Sequence, residues 1–214
     1  MLGIVYVVDD DASYRTAIKR LLEKTGYRVV TYASAQQLLD QRPDENSPGC
    51  ILLDVRMPGL SGPEVQSRLT EFGSTLPIVF LTGYMDITLT VKALKAGADN
   101  FFIKPVRSDE LLKALEKAIA RHETALALKG ELETLRTRLS TLTPRQRQVF
   151  EIIVRGKTNK HVARELGSTE RTIKAHRQVI MKKMKVQSLV QLVTIAERLG
   201  VLQVSGPGDQ KLEG

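Results

Sequence analysis

Hydrophobic residues in the first 120 positions alternate between two patterns. Short apolar runs rich in β-branched residues, such as IVYVV at 4–8 and PIVFLT at 77–82, are typical of buried strands. Between these runs, apolar residues recur at helical spacing. Strands that alternate with helices predict a doubly wound α/β fold, a five-stranded parallel sheet covered on both faces. The predicted strands are 3–8, 29–32, 51–54, 77–82 and 100–103, and the predicted helices are 12–25, 35–41, 63–71, 87–96 and one that begins after residue 108.

Residues 143–199 show no strand pattern. Thr143, Pro144 and Gln146 match a capping box with proline in the first turn, which predicts the start of a helix. Three more helical segments follow, over 159–166, from 168 or 169 to 184, and over 189–199. We therefore predict a first domain over 1–120, a helical linker over 121–140, a four-helix domain over 141–203 and a flexible tail over 204–214.

Leucines in the predicted linker are spaced four and three residues apart, as in a short heptad repeat. Two arrangements agree with this spacing: a single amphipathic helix that packs on one of the domains, or a short coiled coil between two chains. The leucines are Leu128, Leu132, Leu135, Leu139 and Leu142.

The charge of the chain is unevenly distributed. Residues 1–120 carry 14 Lys and Arg against 15 Asp and Glu, whereas residues 141–200 carry 13 against 4. A near-neutral domain followed by a strongly basic one indicates that only the second meets a polyanion. The single cysteine, Cys50, excludes a disulfide framework within one chain, and no apolar run is long enough to span a bilayer. These features favour a cytoplasmic protein without a membrane partner.

Reactive side chains follow four of the five predicted strands. The first strand ends at DDD (9–11), the third at Asp54, the fourth at Thr82 and the fifth at Lys104. In an open parallel sheet, ligands bind beyond the carboxyl ends of the strands, so these groups are expected on one rim. Clustered carboxylates attract a hard divalent cation such as Mg²⁺, and a carboxylate beside it can act as a nucleophile on phosphorus. Aspartates at strand ends also serve as turn and helix caps, but capping does not explain the lysine.

The segments over 159–166 and 169–184 predict a helix-turn-helix, whose second helix enters the major groove of DNA. Ile173, Ile180 and Met184 lie on its predicted core face. The opposite face carries the residues expected to contact bases, whereas other cations are expected to contact phosphates. The first set is Arg171, Lys174, Ala175, Gln178 and Lys182, and the second is Lys160, Arg177, Lys183 and Lys185.

The motifs VVDDD, LLDVRMPGLSG, FLTG and FIKP, in this order, resemble the signature of bacterial response-regulator receiver domains. The resemblance implies a flavodoxin-like sheet of order 2-1-3-4-5 and a cis Lys104–Pro105 bond. It makes Asp54 the phosphoacceptor. It also implies that Lys104 is the phosphate-binding lysine and that Thr82 and Phe101 form the switch pair. The implied ligands of Mg²⁺ are Asp9, Asp10, Asp54 and the Arg56 backbone carbonyl.

The segment from LTPRQRQVF to MKKM resembles the LuxR-type DNA-binding domain, and the chain as a whole is similar to regulators of the FixJ/NarL type, nearest to FixJ. The family often has glutamate where Gln146 stands, so a salt bridge made by that glutamate is expected to be missing. The helix over 188–199 would be the family's dimerisation helix.

The resemblance implies a phosphorylation-dependent transcriptional regulator rather than an enzyme. The expected partners are a sensor histidine kinase, double-stranded DNA with paired half-sites, RNA polymerase and, on phosphorylation, a second copy of the chain. A Mg²⁺-dependent aspartyl-phosphate phosphohydrolase is the enzyme alternative. Such enzymes commonly place a second acid two residues after the nucleophile, where this chain has Arg56. A regulator that works without phosphate is the third alternative.

Overall fold

Five parallel strands form one sheet in the order β2-β1-β3-β4-β5, which confirms the predicted doubly wound topology. The computed structural model describes residues 2–83 and 97–202, so the predicted helix over 87–96 and the predicted tail over 204–214 lie outside the described residues. The strands are β1 (Ile4–Val8), β2 (Arg28–Tyr32), β3 (Gly49–Asp54), β4 (Ile78–Thr82) and β5 (Asn100–Ile103).

Helices cover both faces of this sheet, because successive residues of each strand point to opposite sides. Val5 and Val7 of β1 pack in one apolar cluster, and Ile4 and Tyr6 pack in the other. The cluster with Val5 and Val7 includes residues of helices 12–24 and 108–140. The cluster with Ile4 and Tyr6 includes residues of helices 35–40 and 62–71. The helices are α1 (Ala12–Lys24), α2 (Ala35–Asp40), α3 (Gly62–Glu71) and α4 (Ser108–Ser140).

The strand β3 begins two residues earlier than the apolar run alone predicted. Gly49 pairs with Ile4 of β1, and its N–H donates to Nδ1 of His122 at 3.1 Å. A Cβ atom at position 49 would lie 2.8 Å from the carbonyl oxygen of Ile4, so the strand requires glycine here. His122 itself is buried and also contacts the Thr75 hydroxyl at 3.3 Å.

Among the described residues of the second unit, four helices follow the end of α4, as predicted. Each is preceded by a threonine or serine whose hydroxyl accepts a backbone N–H of the first turn. The predicted capping box is confirmed, because Thr143 N donates to Gln146 Oε1 at 3.1 Å while Gln146 N donates to Thr143 Oγ1 at 3.3 Å. The helices are α5 (Pro144–Ile153), α6 (Asn159–Glu165), α7 (Glu170–Met184) and α8 (Leu189–Arg198).

The long helix α4 runs without interruption through the predicted linker. The chain divides into two compact units, Met1–Leu128 and Lys129–Gly214, and this helix begins in the first and ends in the second. Leu139 and Leu142 belong to the apolar core of the second unit. Both carboxylate oxygens of Glu131 accept hydrogen bonds from the Arg198 guanidinium at 2.7 Å. These contacts favour the packing arrangement over the coiled coil for the last turns of the linker.

Candidate functional site

The carboxyl ends of β1 and β3 bring two aspartates together. Val8 is in register with Leu53 on the neighbouring strand, so Asp9 and Asp54 follow at the same edge of the sheet. One carboxylate oxygen each of Asp9, Asp10 and Asp54 lies within 4.8 Å of the other two. Asp9 and Asp54 are buried, whereas Asp10 is exposed. Three hard oxygen donors at one partly open position suit a divalent cation such as Mg²⁺.

The end of β5 supplies a cation to the same edge. The ammonium of Lys104 donates to Asp54 and, at 2.6 Å, to Asp9. Burial raises the pKa of Asp9, and the hydrogen bond from Lys104 opposes this rise without cancelling it. Burial alone would lower the pKa of Lys104, but its hydrogen bonds to Asp54 and Asp9 raise it overall. Lys104 therefore stays charged at neutral pH and balances the acids.

Asp11, the third acid of the triplet, has a different role. Its carboxylate caps α1 and accepts the backbone N–H groups of Ser13 at 2.8 Å and Tyr14 at 3.1 Å. The bonds from Tyr14 and Ser13 lower the pKa of this exposed carboxyl group. The cap also fixes the first turn of the helix that follows the acidic edge.

Residues Val55 to Ser61, which follow Asp54, lie outside regular helix. The N–H of Arg56 donates to Asp54 Oδ1 at 3.0 Å and orients that carboxylate. At Gly62 a Cβ atom would lie 2.8 Å from the Phe80 ring and 2.9 Å from the Asp54 carbonyl oxygen. Gly62 therefore lets α3 approach the acidic edge closely. This role could not be predicted from the sequence, because it depends on the distances from Gly62 to Phe80 and Asp54 in the fold.

The proposed switch residues lie on neighbouring strands. Thr82 is the last residue of β4 and is buried, and its carbonyl oxygen accepts the N–H of Lys104 at 2.7 Å. Phe101 on β5 is half-buried, with its ring centroid 6.4 Å from that of Phe80. The predicted cis peptide bond between Lys104 and Pro105 is present.

The helix α7 separates its core face from its predicted recognition face. Ile173, Ile180 and Met184 are fully buried. The five residues predicted to contact bases are all exposed, so one face of the helix presents cations, an amide and a small side chain. These residues are Arg171, Lys174, Ala175, Gln178 and Lys182.

The four cations predicted to contact phosphates fall into two groups. Lys160 and Lys185 are exposed. Arg177 donates to Asn159 Oδ1 at 2.8 Å, and Lys183 donates to Gln146 Oε1 at 2.9 Å and to the Thr141 carbonyl oxygen at 2.7 Å. The amide oxygen of Gln146 therefore accepts a hydrogen bond from a cation on α7.

Comparison with known families and proteins agrees with both halves of this description. Residues 5–116 match the response regulator receiver domain, and residues 140–196 match the bacterial regulatory proteins of the LuxR family. In the part of the chain that the structure describes, no helix has the length and apolar character needed to cross a bilayer.

Several relatives match almost the whole chain. Nodulation protein W of Bradyrhizobium diazoefficiens is 41% identical over 93% of this chain and 87% of its own. The transcriptional regulatory protein FixJ of the same organism is 40% identical, over 94% of this chain and 97% of its own. The solved structure of the response regulator StyR superposes with a TM-score of 0.83 at 41% identity, covering 91% of this chain and 98% of that one.

Proposed function

The chain belongs to the response regulators that join a receiver domain to a LuxR-type DNA-binding domain, and from this premise we propose that Asp54 is its phosphoacceptor. A cognate histidine kinase is the donor. An oxygen of Asp54 forms a bond to phosphorus while the bond between phosphorus and the donor imidazole nitrogen breaks, and the imidazole keeps the electron pair. The observation that carries the proposal is the convergence of three carboxylates and one ammonium on a single edge of the sheet.

Asp9, Asp10, Asp54 and the Arg56 carbonyl are the groups that we propose to hold Mg²⁺. The bound ion would neutralise the acids and the phosphoryl oxygens, which otherwise repel each other. The three carboxylates support this assignment, because each offers one hard oxygen ligand and these oxygens lie within 4.8 Å of one another. Lys104 and Thr82 bind the phosphoryl oxygens, the first as a charged donor and the second through its hydroxyl.

Phosphorylation acts through the sheet edge that carries β4 and β5. Thr82 moves toward the phosphoryl group, Phe101 turns inward beside it, and the altered face at β5 pairs with a second receiver. The packing of Phe101 near Phe80 supports this role, because a half-buried ring on an edge strand can take a more buried position. The receiver dimer presents two DNA-binding domains to paired half-sites.

Base recognition is assigned to the exposed face of α7, and phosphate contacts to the cations around it. The assignment is supported by exposed Lys174 and Gln178, whose side chains can reach base edges, and by the small Ala175 between them. The dimer then acts on RNA polymerase at a promoter in the cytoplasm. For this function we divide the chain into a receiver (1–120), a linker (121–140) and a DNA-binding domain (141–203).

Selection of DNA from random sequence tests this function, with the full chain incubated in Mg²⁺ with and without acetyl phosphate. We expect acetyl phosphate to enrich a motif with two related half-sites. The same enrichment without the phosphodonor would favour a regulator that works without phosphate. Loss of any enriched motif would contradict the proposed DNA recognition.

A further inference from the structure

The first turn of α1 places an aromatic ring beside the phosphate-binding lysine. The ring centroid of Tyr14 lies 4.3 Å from Nζ of Lys104, well within the range of a cation–π contact. The cap formed by Asp11 fixes the backbone of this turn, because its carboxylate accepts the Tyr14 N–H at 3.1 Å. The Asp11 cap therefore helps to hold the Tyr14 ring beside Lys104.

Two kinds of partner therefore contact the Lys104 ammonium. Asp9 and Asp54 accept its hydrogen bonds, and the Tyr14 ring contributes the electron-rich face of its π system. The Lys104 side chain is only 15% exposed, so water screens these contacts weakly. A ring face attracts the cation without accepting a conventional hydrogen bond, so it leaves the N–H groups available for phosphoryl oxygens.

A hydrogen bond of the Tyr14 hydroxyl does not explain why the ring lies beside Lys104. Its oxygen is buried and has no hydrogen-bond partner among the residues that the structure describes. A buried hydroxyl without a partner is unfavourable, so the ring is the part of the side chain that stabilises the arrangement. The Tyr14 side chain also packs against the apolar cluster that contains Ile18 and Leu111.

We propose that Tyr14 is a positioning residue for phosphoryl transfer, whose ring holds the Lys104 ammonium at the acidic edge while its N–H groups pass from carboxylate to phosphoryl oxygens. This inference rests on the proposed function, because it assumes that Lys104 binds the phosphoryl group on Asp54. A nucleophile and a cation held in place react faster than mobile ones.

The competing explanation is that Tyr14 only fills space in the apolar cluster. Three variants separate the two explanations. Tyr14→Leu keeps apolar bulk and removes the ring, Tyr14→Phe keeps the ring and removes the hydroxyl, and Tyr27→Leu removes another buried ring from the same cluster at the opposite end of the sheet. NMR shifts of the Lys104 ε-methylene protons report the ring contact, and intact-mass spectrometry reports the rate of labelling by acetyl phosphate in Mg²⁺.

We expect Tyr14→Leu to abolish the upfield ring-current shift of the Lys104 protons and to slow labelling about fivefold. Tyr14→Phe is expected to keep the shift and a rate within about twofold of the unmodified chain. Tyr27→Leu lowers stability but leaves both readouts unchanged. Equal labelling rates in Tyr14→Leu and the unmodified chain would overturn the inference.

A double-mutant cycle completes the test. In a Lys104→Met background, Tyr14→Leu is expected to cause no further loss of labelling rate, because the ring then has no cation to position. The same loss in both backgrounds would assign Tyr14 to packing alone. Absence of label from the unmodified chain would instead overturn the proposed function, so the two failures are distinguishable.

Discussion

Nζ of Lys104 lies 2.6 Å from Oδ2 of Asp9, although their strands are not neighbours in the sheet. β3 and β4 lie between β1 and β5, and the lysine side chain reaches across their carboxyl ends. The contact places a positive charge where three carboxylates converge. The same cation therefore neutralises the acids and competes with any other cation that approaches them.

Removing this cation is expected to strengthen binding of Mg²⁺. In Lys104→Met the acids lose a competing positive charge, so the Kd for Mg²⁺ should fall about three- to tenfold. Labelling of Asp54 should become slower in the same variant, because a donor to the phosphoryl oxygens is lost. Isothermal titration calorimetry measures the first effect. Lys113→Met, an exposed lysine of α4, serves as the control and should bind Mg²⁺ like the unmodified chain. Weaker Mg²⁺ binding in Lys104→Met would contradict the competition.

The buried imidazole of His122 should make the receiver less stable as the pH falls. Its Nδ1 accepts the Gly49 N–H, and burial lowers its pKa below the ordinary value of 6.5. Protonation would remove the acceptor, so its stabilising contribution is complete above pH 6.5. That contribution falls between pH 6.5 and the lower pKa of the folded state, with a slope of up to about 1.4 kcal/mol per pH unit.

Urea unfolding followed by tyrosine fluorescence measures this effect, because the chain has no tryptophan and all five tyrosines lie between residues 6 and 84. His122→Gln keeps an acceptor for Gly49 and cannot titrate, so we expect it to lose this part of the pH dependence. Glu45 is the charged group that opposes the shift. An identical slope in the variant would exclude His122 as the source.

Substitutions on the exposed face of α7 should separate base recognition from phosphate contacts. Lys174→Ala and Gln178→Ala are each expected to weaken binding to the selected motif by about 1–3 kcal/mol, with smaller losses on unrelated DNA. Lys160→Ala should weaken binding to all sequences similarly and reduce the salt slope by about 1. Fluorescence anisotropy at several salt concentrations measures both. Losses of equal size on every sequence for Lys174→Ala would contradict a role in base recognition.

Replacing the Gln146 amide by a carboxylate is expected to stabilise the DNA-binding domain. Gln146→Glu keeps the cap to Thr143 and places a carboxylate against the Lys183 ammonium, which now lies 2.9 Å from the amide oxygen. A charged acceptor in the first turn of α5 should add about 0.5–1 kcal/mol to the free energy of unfolding. Thermal unfolding monitored by circular dichroism measures the gain. Gln146→Met removes both bonds and should lower the melting temperature, and a rise in this control would rule out the hydrogen bonds as the cause.

Much of the site could be predicted from the sequence, because parallel topology brings every strand's carboxyl end to one edge. The acids, Thr82 and Lys104 each follow a recognisable apolar run, so their convergence needs only the strand order. The seam of leucines was less informative, because heptad spacing does not distinguish packing on a domain from pairing with another chain. Burial of Leu139 in the second unit depends on tertiary contacts that periodicity does not report.

Other functional features could not be predicted, because they depend on distances between segments remote in sequence. Tyr14 occupies an ordinary helical position, and only the fold brings Lys104 against its ring. In the sequence His122 is one polar residue of a long helix, but in the fold its side chain accepts a hydrogen bond from Gly49 at the start of β3. The contact of Lys183 with Gln146 likewise joins two helices. No local pattern carries such information.

Labelling by a small phosphodonor shows whether Asp54 is the phosphoacceptor. The full chain is incubated with acetyl phosphate and Mg²⁺, and peptide mass spectrometry locates the phosphoryl group. We expect one label on Asp54, none on Asp54→Asn, and normal labelling of Asp11→Asn, which keeps the cap of α1 and lies outside the acidic cluster. Undiminished labelling of Asp54→Asn would contradict the account.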